Sequence, residues 1–146
     1  VAYYEDLSPC DYVARFESPL LAVGWLDRQH PFPTGTVTRD FFESLARLAA
    51  NPWQPAVAMG RHACEFCAFT GGPAEARMGD LVVKLGVSNV FVPGDAVVYV
   101  APSLVLHYVD AHDYSPPEPF QGAVRACPPM RSVEYLEALR RHGVHG

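Results

Sequence analysis

The chain has 146 residues, of which 49% are apolar and 18% charged, and its formal net charge is −5. Charged residues usually make up roughly 25% of a globular domain, so this is the composition of a packed protein and not of a disordered one. Its length fits a single domain, 1–146, that can bury a core without depending on a metal to fold.

The first nineteen residues are polar and turn-rich, with Ser8-Pro9 and Ser18-Pro19. Leu20 to Leu26 reads as a strand or buried run. Its apolar start, Leu20 to Val23, is broken by Gly24, so it is too short to span a membrane, and no charged-then-apolar leader precedes it. Asp27 to Gly35 is a loop carrying Pro31, Pro33 and Gly35. Thr38 to Ala50 predicts a helix, with Thr38 as cap and Asp40 in the electropositive first turn. Phe41, Phe42, Leu45, Leu48 and Ala49 recur at helical spacing, and Asn51-Pro52 ends the segment.

Ala56 to Met59 reads as a short strand leading into a cysteine pair, and Gly71-Gly72-Pro73 then breaks the chain. Leu81 to Leu85 is a short β-like run. Val90–Val92 and Val97–Val100 flank the turn signal Pro93-Gly94-Asp95 and predict a hairpin. A helix is expected to open at Ala101-Pro102-Ser103, with Pro102 in its first turn, and to stop near His112, before Pro116-Pro117. A last helix is expected from Ser132, its cap, to His142, with Gly143 as terminator and Val133, Leu136 and Leu139 facing inward.

Against this background one pattern carries chemistry. Cys64 and Cys67 form a C-x2-C pair, and His107 and His112 form an H-x4-H pair. Two thiols and two imidazoles at such internal spacings are the donors of a tetrahedral Zn2+ site. His62, two residues before the first cysteine, is an alternative fourth ligand. The order of cysteine pair, hairpin and helix with two histidines is that of a C2H2 zinc finger, and Leu104 stands three residues before His107 as in that module. The departure is length: 39 residues separate Cys67 from His107, where the short finger has about 12. The chain therefore reads as a C2H2 zinc-finger-like unit carrying a long insertion. On a regular helix, side chains five apart point about 140° apart, so the pair requires the helix to loosen near His112.

Other readings of these residues are weaker. Ala68-Phe69-Thr70-Gly71-Gly72 is a poor helix start, which disfavours a redox C-x-x-C. The positions matching a finger's base readers are Val100, Ser103 and Leu106, none of them a usual base-reading side chain. With the acidic balance and no Lys/Arg run, this argues against nucleic-acid binding. The nucleobase-deaminase signature fails, because neither the H-x-E nor the proline before the first cysteine is present. Glu65, inside the cysteine pair, is in position for a general base but reads better as a solvated turn residue. Trp25, Asp27, His30 and the Pro31–Gly35 loop form an aromatic and polar patch that reads mainly as core anchors and turn caps, with a ligand site as the sharper alternative. Asp110, Asp113 and Tyr114 flank His112 and are candidates to support a ligating imidazole. Cys10 and Cys127 are read as small buried hydrophobes.

The segments Tyr4-Glu5-Asp6-Leu7-Ser8-Pro9, Gly24-Trp25-Leu26-Asp27 with His30-Pro31-Phe32-Pro33-Thr34-Gly35, Gly60-Arg61-His62-Ala63-Cys64-Glu65-Phe66-Cys67, and Tyr99-Val100-Ala101-Pro102 through His107-Tyr108 to His112 resemble a group of small uncharacterised bacterial proteins. The resemblance reaches to about Val124 and implies a bacterial stand-alone domain; it implies no activity.

The expected fold is α+β, a small antiparallel sheet with about three helices, closed by zinc between the cysteine turn and the histidine helix. The expected function is a zinc-stabilised binding or interaction module with a protein or small-molecule partner. The alternative is a small zinc-dependent enzyme of hydrolytic type, with a site near the metal or the Trp25–Gly35 loop. With four unevenly spaced cysteines and no disulfide framework, a cytoplasmic setting is expected.

Overall fold

The computed structural model describes residues 3–10, 16–55, 62–67 and 69–143. The fold is α+β. In chain order the elements are β1 (Leu20–Ala22), α1 (Arg39–Ala50), β2 (Glu75–Met78), β3 (Leu81–Lys84), β4 (Asn89–Pro93), β5 (Val98–Pro102), α2 (Val105–His112), α3 (Glu118–Ala126) and α4 (Val133–Arg141).

The hairpin expected around Pro93-Gly94-Asp95 is β4–β5, paired antiparallel from Asn89↔Pro102 to Pro93↔Val98. β1 joins the other edge of β5 in parallel, from Leu20↔Val98 to Ala22↔Val100, giving the order β1-β5-β4. The larger sheet is therefore mixed, because the long crossover through α1 and β2–β4 brings the chain back in the direction it left. A second sheet is the antiparallel pair β2–β3.

β5 is buried along its whole length, and its alternation explains why. Tyr99 and Ala101 face the core shared with α1, α2 and α3, while Val98 and Val100 face a smaller cluster with Cys10, Trp25 and Phe91. Trp25 also donates from Nε1 to the Val100 carbonyl at 3.0 Å. A strand covered on both faces reads as a continuous apolar run.

Helix α1 forms as its sequence predicts. Thr38 Oγ1 accepts from the Phe41 N–H, and Phe41, Leu45, Ala46, Leu48 and Ala49 make the buried stripe. α4 is likewise capped by Ser132, and Gly143 follows at a positive φ of 72°. Its inward face differs from expectation, however. Tyr135, Ala138 and Leu139 are buried, Leu136 is half-buried, and Val133 is 67% exposed. Tyr135 sets this rotation: it is fully buried and its hydroxyl donates to the Phe91 carbonyl at 2.6 Å.

Pro102 does not open a helix. It is the last residue of β5, and α2 begins at Val105. Ser103 holds the junction: its N–H donates to the Ser88 carbonyl, and its Oγ accepts from the Gly86 N–H. Two elements were not anticipated. β2 is rich in charge and poor in β-branched residues, so it owes its conformation to pairing with β3 rather than to propensity. α3 follows Pro116-Pro117, which signals a helix end but also supplies the start: Pro117 is the cap residue and Pro119 lies in the first turn, and Phe120 and Val124 bury its face. The strand expected over Ala56–Met59 lies outside the described residues. Among the described residues no helix is long and apolar enough to cross a membrane.

Candidate metal centre

The C-x2-C pair sits on a tight turn, with the Cys67 N–H donating to the Cys64 carbonyl. The chain then folds back on itself: the Gly71 N–H donates to the Cys67 carbonyl, and the Cys64 N–H to the Gly71 carbonyl. Gly72 completes the loop at φ +87°, where a β-carbon would lie 2.9 Å from the Cys64 Cβ and 3.6 Å from His107 Nε2. Only glycine fits that backbone and that space. Cys64 is buried and Cys67 half-buried. Burial pushes the Cys64 thiol up from its ordinary value, while N–H groups of Phe66 and Cys67 bonded to it act in the opposite sense.

The histidines come from α2, and the helix loosens at its end as their spacing requires. Asp113, left-handed at φ 57°, donates its N–H to the carbonyl of Tyr108, five residues back, and Tyr114 shares the same acceptor. The closing turn is thus of the wide π type. The two rings meet at right angles with their centroids 5.0 Å apart. Burial lowers the His107 pKa first, the neighbouring His112 lowers it further, and Asp110 acts against both.

Cys64, Cys67, His107 and His112 converge: one donor atom from each lies within 4.8 Å of every other. Cys67 Sγ is 3.2 Å from His107 Nε2 and 3.5 Å from His112 Nε2, and Cys64 Sγ is 3.5 Å from His112 Nε2. Two thiols and two imidazole nitrogens in this arrangement can hold a metal ion. His62, the alternative ligand, is not in the group. Its N–H donates to the Gly86 carbonyl, and its ring stands edge-on to Trp25 with centroids 6.5 Å apart.

The surroundings are aromatic. Phe66, between the cysteines, packs against His112, Tyr108 and Phe32. Phe32 in turn reaches Tyr114. The Pro31–Gly35 loop is tied to the end of α2, since Gly35 donates to the Asp113 carbonyl and Ser115 to the Pro33 carbonyl. Trp25 is therefore a core anchor and Phe32 a lid over the cysteine turn. Asp27 caps its own turn, accepting from the Gln29 and His30 N–H groups and pairing with His30 Nδ1 at 2.7 Å. Glu65 is exposed.

Among the described residues no carboxylate hydrogen-bonds to either ligand imidazole. Asp110 acts on His107 through its field alone, and Asp113 serves as the helix terminator. Tyr114 is buried and donates from its hydroxyl to Asp6 Oδ2 at 2.8 Å, while Asp6 Oδ1 accepts from the Gly24 N–H. The positions of a finger's base readers, Val100, Ser103 and Leu106, are all at most 2% exposed. Phe66 and Gly72 were not singled out from the sequence; the Gly71-Gly72 pair was visible there only as a chain breaker.

The family model of a domain of unknown function (DUF7919) matches residues 2–125 of this chain. The match spans most of the sequence, and the chain belongs to that family. Comparison with the curated proteins and with the solved structures yields no match.

Proposed function

We propose that this member of the DUF7919 family is a zinc-stabilised binding or interaction module, in which Cys64, Cys67, His107 and His112 hold Zn2+ in a structural role. The observation that carries this reading is metrical. Tetrahedral zinc with thiolate bonds of about 2.3 Å and imidazole bonds of about 2.0–2.1 Å needs sulfur–nitrogen separations of about 3.5 Å. The three short separations here are 3.2, 3.5 and 3.5 Å. Thiolate with imidazole is also the donor mixture that zinc favours over magnesium, calcium or manganese.

Four protein donors complete a tetrahedral shell, which distinguishes a structural from a catalytic zinc. The zinc-enzyme alternative needs an open position at the metal and a base directed at it. Glu65 is exposed and Asp27 is engaged by its own turn, so the geometry favours the structural role. Burial of Val100, Ser103 and Leu106 and the net charge of −5 weigh against nucleic acid as partner. Four free cysteines suit a reducing compartment, and with it the cytoplasm.

Elemental analysis of protein purified without chelator tests the reading. One zinc per chain, lost in Cys64→Ser with loss of stability, is the expected result. Absence of stoichiometric metal from well-folded protein would refute it.

A further inference from the structure

The β2–β3 hairpin leaves one edge of β2 open. β2 has β3 as its single neighbour in the smaller sheet, and the ladder shows which backbone groups that pairing uses. The Ala74 carbonyl accepts from the Leu85 N–H at 2.9 Å. Bonded and non-bonded pairs alternate along an antiparallel ladder. With the register Glu75↔Lys84 to Met78↔Leu81, the bonds to β3 therefore fall to Ala74, Ala76 and Met78. The N–H and C=O groups of Glu75 and Arg77 point away from β3, and among the described residues no backbone group pairs with them. A hollow of about 250 Å3 borders the whole strand, Glu75–Met78, on the side of α2.

An open edge is a template for another strand, and a sheet of two strands is marginal without one. The side chains on this edge say which strand fits. Glu75 and Arg77 stand on one face of β2, while Ala76 and Met78 pack against the core. Glu75 lies 3.3 Å from Lys84 Nζ and 3.7 Å from Arg77, whose side chain is 70% exposed. Lys84 alone balances Glu75, so Arg77 is a surplus positive charge.

A second β2 laid antiparallel, with Ala76 opposite Ala76, places each Glu75 opposite the Arg77 of the other copy. Each carboxylate then sits between its own Lys84 and the other copy's Arg77, in one row across four strands. The same register lets the outward N–H and C=O groups of Glu75 and Arg77 bond each other, once on each side of the small Ala76 pair. Sliding by two residues sets Glu75 against Glu75 in one direction and Arg77 against Arg77 in the other. Like charges directly opposite are destabilising, so the edge complements itself in one register. Charges that merely guarded an edge would need no such match of signs.

We infer that β2 is a dimerisation edge, at which two copies of this chain pair antiparallel about Ala76 into one four-stranded sheet. The inference gives the interaction-module reading a partner and makes no use of the metal. The contact is small, so the dimer is transient and fills only at high concentration.

Full-length protein, its zinc content measured first, is followed by sedimentation equilibrium from about 10 µM to about 1 mM. Monomer is expected at the lower end and dimer at the upper, where the Glu75 and Arg77 amides should exchange with solvent several-fold more slowly. Glu75→Arg or Arg77→Glu alone sets like charges opposite each other and should weaken the dimer about tenfold. An equimolar mixture of the two variants restores opposite charges in both rows and should form a mixed dimer, a rescue that misfolding of either variant would not allow. Protein still monomeric at about 1 mM, a dimer indifferent to the reversals or not restored by the mixture, or one whose Glu75 and Arg77 amides stay open would overturn the inference. Dimerisation by well-folded protein that carries no zinc would keep this edge and sink the zinc reading instead.

Discussion

Gly72 lies directly behind Cys64. A β-carbon on Gly72 would approach the Cys64 Cβ to 2.9 Å, and the backbone there has φ +87°. Gly72→Ala therefore forces either the cysteine turn or the loop to move. A loss of roughly 1–3 kcal/mol of stability is expected from overpacking and left-handed strain, together with weaker metal binding because Cys64 is displaced. Thermal unfolding with and without chelator separates the two effects. Unchanged metal affinity would show that the loop yields instead of the ligand.

The ligand set makes a discriminating pair of substitutions. His112→Ala should lower zinc affinity by at least about 100-fold, since losing a side chain that bonds the metal costs more than losing one that only supports a ligand. His62→Ala should leave one zinc per chain, because that ring packs on Trp25 and not on the cysteines. Competition with a chromophoric chelator measures both. In Co2+-substituted protein the intense visible bands of tetrahedral cobalt should be unchanged in His62→Ala and should shift and weaken in His112→Ala, where water takes the fourth position.

Acid should release the metal. Burial raises the Cys64 thiol, so the metal-free protein holds a proton there at neutral pH, and binding must expel it. Affinity should then rise at least about tenfold per pH unit across the neutral range. His107 adds to acid sensitivity in the metal-free protein. Its pKa is depressed below 6.5 by burial, so the unfolded chain takes up a proton first as pH falls. The stability contribution of neutral His107 is present above 6.5 and is lost as the pH drops through its folded value. Chelated protein should therefore show a falling midpoint in urea over that window. A pH-independent midpoint, with pH-independent zinc affinity, would contradict both arguments.

Tyr114 and Asp6 make a second pH-dependent pair. Burial raises the Asp6 pKa, and the hydrogen bonds from Gly24 and Tyr114 act against that rise. Tyr114→Phe should cost about 1–2 kcal/mol at neutral pH, since the lost bond ends on a half-buried carboxylate. The bond favours the charged form, so its contribution is present above the Asp6 pKa and disappears as pH falls through it. Unfolding free energies of wild type and variant should accordingly converge in acid.

Phe69 is fully exposed and left-handed, with φ 74°. That conformation costs an ordinary side chain about 1–2 kcal/mol. Phe69→Gly should therefore stabilise the protein by up to about 1 kcal/mol, and Phe69→Val should destabilise it by a similar amount. Denaturant midpoints decide; the reverse order would mean that the ring makes contacts that outweigh its strain.

Where local chemistry decides a feature, the sequence was readable. Thr38 and Ser132 cap their helices, Pro93-Gly94-Asp95 turns the hairpin, and the cysteine and histidine pairs meet in space. Even the loosened end of α2 followed from the H-x4-H spacing. What escaped was set by distant partners. β2 is a strand because β3 lies beside it. Val133 is turned outward because Tyr135 reaches Phe91. β1 joins β5 in parallel because the crossover passes over α1. The packing of His62, the alternative ligand, on Trp25 was likewise unreadable, because the two are 37 positions apart in the chain.

The long interval between the ligand pairs has a consequence for how the centre closes. Along the backbone, 39 residues separate Cys67 from His107. The Leu85 N–H, however, bonds to the Ala74 carbonyl, and the Ser103 N–H to the Ser88 carbonyl. Stepping across those two bridges, the path runs from Cys67 to Ala74, from Leu85 to Ser88 and from Ser103 to His107, with about fifteen residues between the two ligands. That is close to the spacing of about 12 in a short finger. The two hairpins act as staples that shorten the contour, so an ion held by the four ligands would close a small ring and not a large one. Residues added at the tip of either hairpin should leave the centre as easy to form as before, whereas one residue added between Cys67 and Ala74 should not.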